Sequence, residues 1–244
     1  WAGAQGFKAL VGGEPLDRAL AHQLQTRCAQ VWNMYGPTET TVWSTCWRVE
    51  ADAASGISLG RPIANTTVHI LDAALQPCPV GVMGEICIGG LGLALGYHNR
   101  PALTDERFVS VPVEEGGAPV RLYRTGDRGR WRGDGSLEHG GRMDDQVKLR
   151  GFRIELGEIE ARLATMPGVQ RSVVALKDLP GQGPALVAYL VCDDGNPGVD
   201  ALRRHLMPWL PDYMLPTQCQ LMEALPLLAN GKTTRHAMPL PPQA

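Results

Sequence analysis

Within Asn33-Met34-Tyr35-Gly36-Pro37-Thr38-Glu39 the chain has to turn directly after an apolar stretch, Val31-Trp32, and it carries chemistry through that turn. Proline fixes φ and glycine accepts conformations closed to other residues, so Gly36-Pro37 holds the backbone close to whatever lies beside it. The Tyr35 ring has a face suited to stacking on a purine. Thr38 and Glu39 add a hydroxyl and a carboxylate, the oxygen donors that a phosphate and a Mg²⁺ ion call for. Alone, the heptamer is also readable as a surface turn after a strand. Its companions along the chain decide between the two.

The surrounding pattern is that of a mixed α/β chain, and 244 residues is enough for one or two domains. Phe7-Lys8-Ala9-Leu10-Val11 predicts a buried strand, broken by Gly12-Gly13-Glu14-Pro15. Leu16, Leu20 and Leu24 recur every four residues and predict an amphipathic helix with Pro15 near its first turn. Thr41 to Val49, Val68 to Leu71 and Gly84 to Ile88 read as strands. Thr125-Gly126-Asp127 reads as a turn between Tyr123 and Trp131, Gly133-Asp134-Gly135 as a hairpin, and Glu114 to Pro119 as a surface loop.

The pattern changes near Met143 to Asp145. That places one domain at 1–143, a smaller one at 144–236, and a proline-rich tail at 237–244. In the smaller domain Leu156 to Met166 is helical with Leu156, Ile159 and Leu163 on one face, and strands fall at Ser172 to Leu176 and Leu186 to Cys192 around a loop at 180–184. Asp200 is placed as the cap of a helix carrying Leu202, Leu206 and Leu210.

Bulk properties exclude several classes. With 23 basic and 25 acidic residues the net charge is −2, so no cationic field points to nucleic acid or an anionic membrane. No apolar run approaches the ~18 residues of a spanning helix, and no signal peptide opens the chain. The six cysteines form no CxxC pair and no metal spacing, and read as buried thiols of a cytoplasmic protein. In that compartment the Asn65-Thr66-Thr67 sequon goes unused.

Further motifs follow the heptamer in order: Gly84-Glu85-Ile86-Cys87-Ile88-Gly89-Gly90, Tyr123-Arg124-Thr125-Gly126-Asp127, a twenty-residue block from Gly141-Arg142-Met143-Asp144-Asp145 through Gln146-Val147-Lys148-Leu149-Arg150-Gly151 to Glu160, then Leu210-Pro211-Asp212-Tyr213-Met214-Leu215-Pro216 and Asn230-Gly231-Lys232. In this order they resemble the adenylation domains of non-ribosomal peptide synthetases, within the adenylate-forming superfamily. The resemblance spans the whole chain. It implies the C-terminal part of such an enzyme, namely the remainder of the large subdomain, with sheet and β-barrel portions, plus a small α+β subdomain. The activity it implies is ATP- and Mg²⁺-dependent activation of an amino acid, followed by loading of the phosphopantetheine thiol of a peptidyl carrier protein, toward which the tail would run as a linker.

By the same resemblance Lys232 is the catalytic cation, reaching the substrate carboxylate and the α-phosphate. Taken alone, a loop lysine is usually solvated. Gly13, Glu14, Asn33, Tyr35, Gly36, Thr38, Asp127, His139 and Arg142 line the nucleotide site, with Tyr35 on adenine, Asp127 on the ribose hydroxyls and Glu39 serving the metal. Asp127 would otherwise be a turn-capping residue. Leu10, Gly12, Met34, Val42 and Trp43 form the amino-acid pocket. They carry no charge, and a Trp43 floor favours a small substrate such as glycine, although Trp43 reads as well as a core aromatic. Asp144 is the hinge of the small subdomain, or a solvated turn residue. Lys148, Arg150 and Gly151 form the face presented to the thiol, where Gly151 would leave room for a tunnel. Arg100 to Phe108 resembles the edge where an MbtH-like protein docks.

Two positions depart from the pattern. His139 stands where an aromatic Tyr is usual, and Ala94-Leu95-Gly96-Tyr97 lacks the arginine of the family's Ala-Arg-Gly-Tyr element. The phosphate loop and the aspartate that grips the substrate amine are expected upstream of this sequence, so the chain alone is not expected to turn over. An acyl- or aryl-CoA ligase and a non-catalytic docking platform are the competing readings.

Overall fold

The computed structural model describes residues 2–50, 56–114, 116–193, 195–226, 235 and 237–241. The chain divides into two compact units, Trp1–Asp144 and Asp145–Ala244.

The first unit starts with a parallel pair, β1 (Ala4–Gly12) and β2 (Cys28–Tyr35), joined by helix α1 (Arg18–Gln25) as parallel strands require. Asp17 starts the helix, its carboxylate accepting the Leu20 N–H at 2.7 Å. A 3₁₀ turn at Thr38–Thr40 follows, and β3 (Thr45–Arg48) and β4 (Arg61–Pro62) complete a sheet in the order β1-β2-β3-β4. Leu16, Ala21, Val31 and Val49 form the core beneath it.

Three expectations change here. β1 is a strand but not a buried one: it lies at the sheet edge, and Phe7 and Leu10 are each 61% exposed. Leu20 points to solvent, and Pro15 precedes the helix instead of entering it. The strand expected from Thr41 begins only at Thr45, because Thr41 and Val42 adopt left-handed φ values of 63° and 69°, which an extended strand cannot contain.

The second sheet of this unit holds β5 (Thr66–Leu71), β6 (Gly84–Gly90), β7 (Phe108–Val111), β8 (Val120–Trp131) and β9 (Leu137–Arg142), in the order β5-β6-β8-β7 with β9 paired to β8. Helix α2 (Pro101–Arg107) leads into β7. Thr125-Gly126-Asp127 is not a turn: β8 runs through it as a bulge, and the reversal comes at the 132–136 hairpin.

The second unit opens with the hairpin β10 (Gln146–Leu149) and β11 (Phe152–Glu155). Its two-residue turn, Arg150-Gly151, has φ of 53° and 79°. A Cβ at Gly151 would meet no other atom of the chain within 4 Å, and the positive φ of the turn favours glycine there. Helix α3 (Leu156–Leu163) follows, then β12 (Val169–Leu179) and β13 (Gly183–Cys192), helix α4 (Gly198–Leu206), and β14 (Gln218–Leu221) parallel to β13. Both long strands extend past their expected limits, and the 180–184 loop shrinks to a turn. Asp200 sits inside the first turn of α4, behind Pro197 at the cap, where its charge still favours the helix N-terminus. The Phe152 and Tyr213 rings stack at 4.0 Å and 6°.

Strand alternation divides the small unit's interior between two sheet faces. Val174, Leu186, Ala188 and Leu190 pack with α3 and α4 through Leu156, Ile159, Leu163, Leu202 and Leu206. Val173, Ala175, Val187 and Tyr189 pack with Leu225 and Met238. The tail therefore does not leave the domain at 237. Met238 is buried, Lys177 Nζ donates to its carbonyl at 2.6 Å, and Tyr189 Oη donates to the Pro239 carbonyl at 2.6 Å.

Of the six free cysteines only Cys28 and Cys87 are buried; the rest are half-buried. No helix among the described residues is long and apolar enough to cross a membrane.

Tyr189→Phe leaves the Pro239 carbonyl without its phenol donor, and is expected to cost about 1 kcal/mol of unfolding free energy. Urea denaturation measures it, and an unchanged midpoint would show that this contact adds nothing to the unit.

Candidate functional site

Asp127 is the centre of a polar cluster in the first unit. The residue is 4% exposed, and its carboxylate accepts from three groups: Tyr35 Oη at 2.7 Å, Arg142 Nη1 at 2.8 Å and His139 Nε2 at 3.4 Å. The His139 Nδ1 accepts the Gly141 N–H at 3.3 Å, which puts the ring proton on Nε2, facing Asp127. Burial pushes the Asp127 carboxyl up, but the His139 hydrogen bond, the Arg142 charge and the Tyr35 phenol together hold it below its ordinary 3.8. The Tyr35 phenol is pushed well up, by burial and then by the Asp127 charge.

Arg142 is shared. Its Nε and Nη2 fork onto Asp144 at 2.6 and 2.7 Å, and Nη2 also reaches the Thr125 carbonyl at 3.2 Å. Gly126 lies under this fork: a Cβ there would stand 2.6 Å from Asp144 Oδ2 and 2.8 Å from Arg142 Nη2.

Two residues expected to face a nucleotide are turned inward. The Tyr35 ring keeps 7% of its surface, packed with Val68, Ile70, Ile86 and Ile88, so it offers no open face and contributes through its hydroxyl. Asn33 is buried, its amide donating to the Ser58 carbonyl at 2.7 Å. Gly36 is demanded by a close approach, since a Cβ would lie 2.6 Å from the Val42 carbonyl oxygen. Gly13 and Glu14 are exposed just beyond β1.

Glu39 and Thr38 sit side by side on the 3₁₀ turn, Thr38 exposed and Glu39 half-buried. Tyr97 Oη donates to Glu39 Oε1 at 2.7 Å, and burial, then Tyr123, then Glu39, push the Tyr97 phenol up. Among the described residues no group of three His, Cys, Asp or Glu side chains converges. One carboxylate and one hydroxyl suit Mg²⁺, which keeps waters and shares phosphate oxygens, better than an ion needing an all-protein cage.

The pocket residues meet on the other side of β2. Leu10 and Gly12 on β1 pair with Trp32 and Met34 on β2, so all four share one sheet face. The Trp43 ring closes on Gly12, where a Cβ would be 2.5 Å from Cζ3. Trp43 is half-buried and belongs to none of the core clusters, whereas Val42 beside it is exposed. Lys148 lies on β10 with Arg150 and Gly151 at the adjoining turn. Lys232, with Asn230 and Gly231, lies outside the described residues.

The model of the AMP-binding enzyme family matches residues 4–98, and that of the AMP-binding enzyme C-terminal domain matches residues 158–232. The chain belongs to the adenylate-forming AMP-binding enzymes. It is 50% identical over 238 residues to a dimodular nonribosomal peptide synthase of Bacillus subtilis (strain 168), covering 97% of this chain and 10% of that protein. With tyrocidine synthase 3 of Brevibacillus parabrevis it shares 46% identity over 236 residues, 95% of this chain and 4% of the other. This chain thus spans about a tenth or less of these relatives. An NRPS protein containing adenylation and PCP domains, solved with a vinylsulfonamide inhibitor, superposes with a TM-score of 0.80 at 35% identity over 94% of this chain and 40% of that one. A four-domain nonribosomal peptide synthetase bound to AMP and glycine gives 0.56 at 45% identity over 100% and 18%. Within the adenylate-forming family, then, these residues correspond to the C-terminal portion of a synthetase adenylation domain.

Three residues that stand in the sequence motifs but were given no role there join polar contacts in the fold: Glu85 accepts from Arg124 and from the Gly126 N–H, and the Tyr97 hydroxyl donates to Glu39. Glu85 had a visible signal, a charge set inside the apolar strand Ile86-Cys87-Ile88, where an acidic residue is rarely buried without a partner.

A carboxyl held below its ordinary value stabilises the fold above that value and stops doing so as pH falls through the lowered one. Asp127→Asn keeps the shape and removes the charge, and is expected to lower unfolding free energy by about 2 kcal/mol at neutral pH. The gap from wild type should close as the pH drops below 3.8. A gap independent of pH would mean the charge contributes nothing.

Proposed function

We propose that this chain is the part of an amino-acid adenylation domain that holds the ribose, seats a small amino acid and supplies the catalytic lysine. The carrying observation is the Asp127 cluster, a buried carboxylate kept ionised and aimed by Tyr35, His139 and Arg142. Such a group, deprotonated in advance, accepts hydrogen bonds from two vicinal hydroxyls without reorganising. Met34 and Tyr35 are consecutive on β2 and face opposite sides, so one strand serves the amino-acid pocket and the nucleotide.

In the reaction, the substrate carboxylate oxygen attacks the α-phosphorus of ATP and the bond to pyrophosphate breaks. The thiol of a carrier protein's phosphopantetheine then attacks the acyl carbon, AMP leaves, and the thiol proton goes to solvent. Bound Mg²⁺ would supply charge neutralisation at the phosphates, with Glu39 as its protein ligand and Thr38 beside it. Arg142 orients Asp127. Lys232 neutralises the developing charge between carboxylate and α-phosphate. Trp43 against Gly12 fills the pocket floor and supports glycine as substrate, in keeping with the glycine held by the four-domain relative. Helix α2 buries none of its residues, leaving a surface on which an MbtH-like partner would sit. The free thiols suit a cytoplasmic setting.

In the complete domain, Lys232→Ala should lower amino-acid-dependent pyrophosphate exchange by ~10²–10³-fold, as for loss of one preorganised electrostatic contact. Thioester transfer from pre-formed aminoacyl adenylate should fall far less. Parallel loss of both half-reactions would make Lys232 structural.

Asp144 is read as the joint on which the small unit rotates between the two half-reactions, gripped in this structure by the Arg142 fork. Asp144→Pro restricts φ there, and should spare one half-reaction while blocking the other. Equal loss of both, measured by pyrophosphate exchange and by carrier loading, contradicts the assignment.

A further inference from the structure

The Asp127 bulge needs something to hold it, and the backbone of β6 does not suffice. Glu85 pairs with Arg128 and Cys87 with Arg124, so three residues of β8, Thr125 to Asp127, stand against the single residue Ile86. Regular pairing matches residues one to one, and a bulge leaves backbone groups without ladder partners. Here the orphaned donors go to side chains. The Gly126 N–H donates to Glu85 Oε1 at 3.0 Å, and the Asp127 N–H donates to Thr125 Oγ1 at 3.0 Å, which in turn donates to the Ile86 carbonyl at 2.7 Å. Glu85 is 5% exposed, and its other oxygen takes a fork from Arg124 at 3.0 and 2.8 Å. A buried carboxylate satisfied on both oxygens is held rigidly, and it grips the peptide immediately before Asp127.

We infer that Glu85 is a positioning residue of the ribose site: through the Gly126 amide it fixes the bulge that aims Asp127. It touches neither nucleotide nor amino acid. Arg124 acts behind it, locking the Glu85 carboxylate in the orientation that meets Gly126. The assignment gives the Gly84-Glu85-Ile86-Cys87 motif a task, and accounts for a charge on a strand whose neighbours Ile86, Cys87 and Ile88 are all fully buried. It rests on the reading of Asp127 as the ribose carboxylate.

The test is binding of AMP and of 2′,3′-dideoxy-AMP to the complete domain by calorimetry. Glu85→Ala should weaken AMP by about 10-fold, because misplacing a positioned group by a fraction of an ångström costs on this order. Dideoxy-AMP, which offers Asp127 no hydroxyls, should change by less than about 2-fold, and in an Asp127→Asn background the effect of Glu85→Ala on AMP should vanish, since coupled residues are not additive. Glu85→Gln keeps an acceptor for the Gly126 N–H and should hold AMP within about 3-fold of wild type, an arm that stands even if the alanine variant folds poorly. Equal weakening of both nucleotides, persistence of the effect without Asp127, or a glutamine variant losing as much as alanine would each overturn the inference. Wild-type protein that binds both nucleotides equally would instead overturn the ribose reading itself.

Discussion

A buried carboxylate governs the first unit. Removing an ion from water is costly unless charge and hydrogen bonds replace the solvent, and Asp127 gets its replacements from separate strands: Tyr35 on β2, His139 and Arg142 on β9, with its own position set within β8. Each partner in turn has to be where it is. Tyr35 is anchored by the apolar side chains around its ring, and Arg142 by its fork onto Asp144. Losing any one of them takes a hydrogen bond from a charge held in a low-dielectric interior.

Glycine makes this packing feasible at two points. Gly126 has φ of 73° and lies beneath the Arg142–Asp144 pair, with no space for a methyl group. Gly12 admits the Trp43 ring on the opposite face of the first sheet. At both, backbone approaches a side chain closely enough that the smallest substituent would displace the neighbour. Gly151 differs, since no atom of the chain lies near its Cβ position and its left-handed turn favours glycine.

The small unit achieves stability differently, with a sheet covered on both faces and little buried charge. Helices α3 and α4 cover one face. The other is covered by irregular chain, including Leu225 and Met238, fastened by Tyr189 and Lys177 to backbone carbonyls. Arg235 adds a second anchor, forking onto Glu160 at 2.9 and 2.8 Å and reaching the Val174 carbonyl at 3.0 Å. The start of a proline-rich segment that looks like linker by composition, Met238 and Pro239, is thereby fastened to the unit.

Much of this was legible in the linear order of residues, because the motifs carry local chemistry. The mixed α/β class, the face of Leu156, Ile159 and Leu163 and the hairpin after Trp131 follow from periodicity and turn residues, which are short-range properties, while the candidate role of Asp127 comes from the family resemblance of the motifs. Features that depend on which strands become neighbours are of another kind. β1 is exposed because it falls at an edge, and Tyr35 is buried because β5 and β6 cross its ring. Thr125-Gly126-Asp127 is a bulge and not a turn because β6 and β9 flank it on both sides and require the strand to continue. The order of residues establishes which side chains have the chemistry to bind a nucleotide and where the chain changes character. It took folding to make Glu85, forty-one residues before Gly126, the acceptor that holds the bulge, since local pattern can mark a buried charge but the partner of a hydrogen bond across a sheet depends on register.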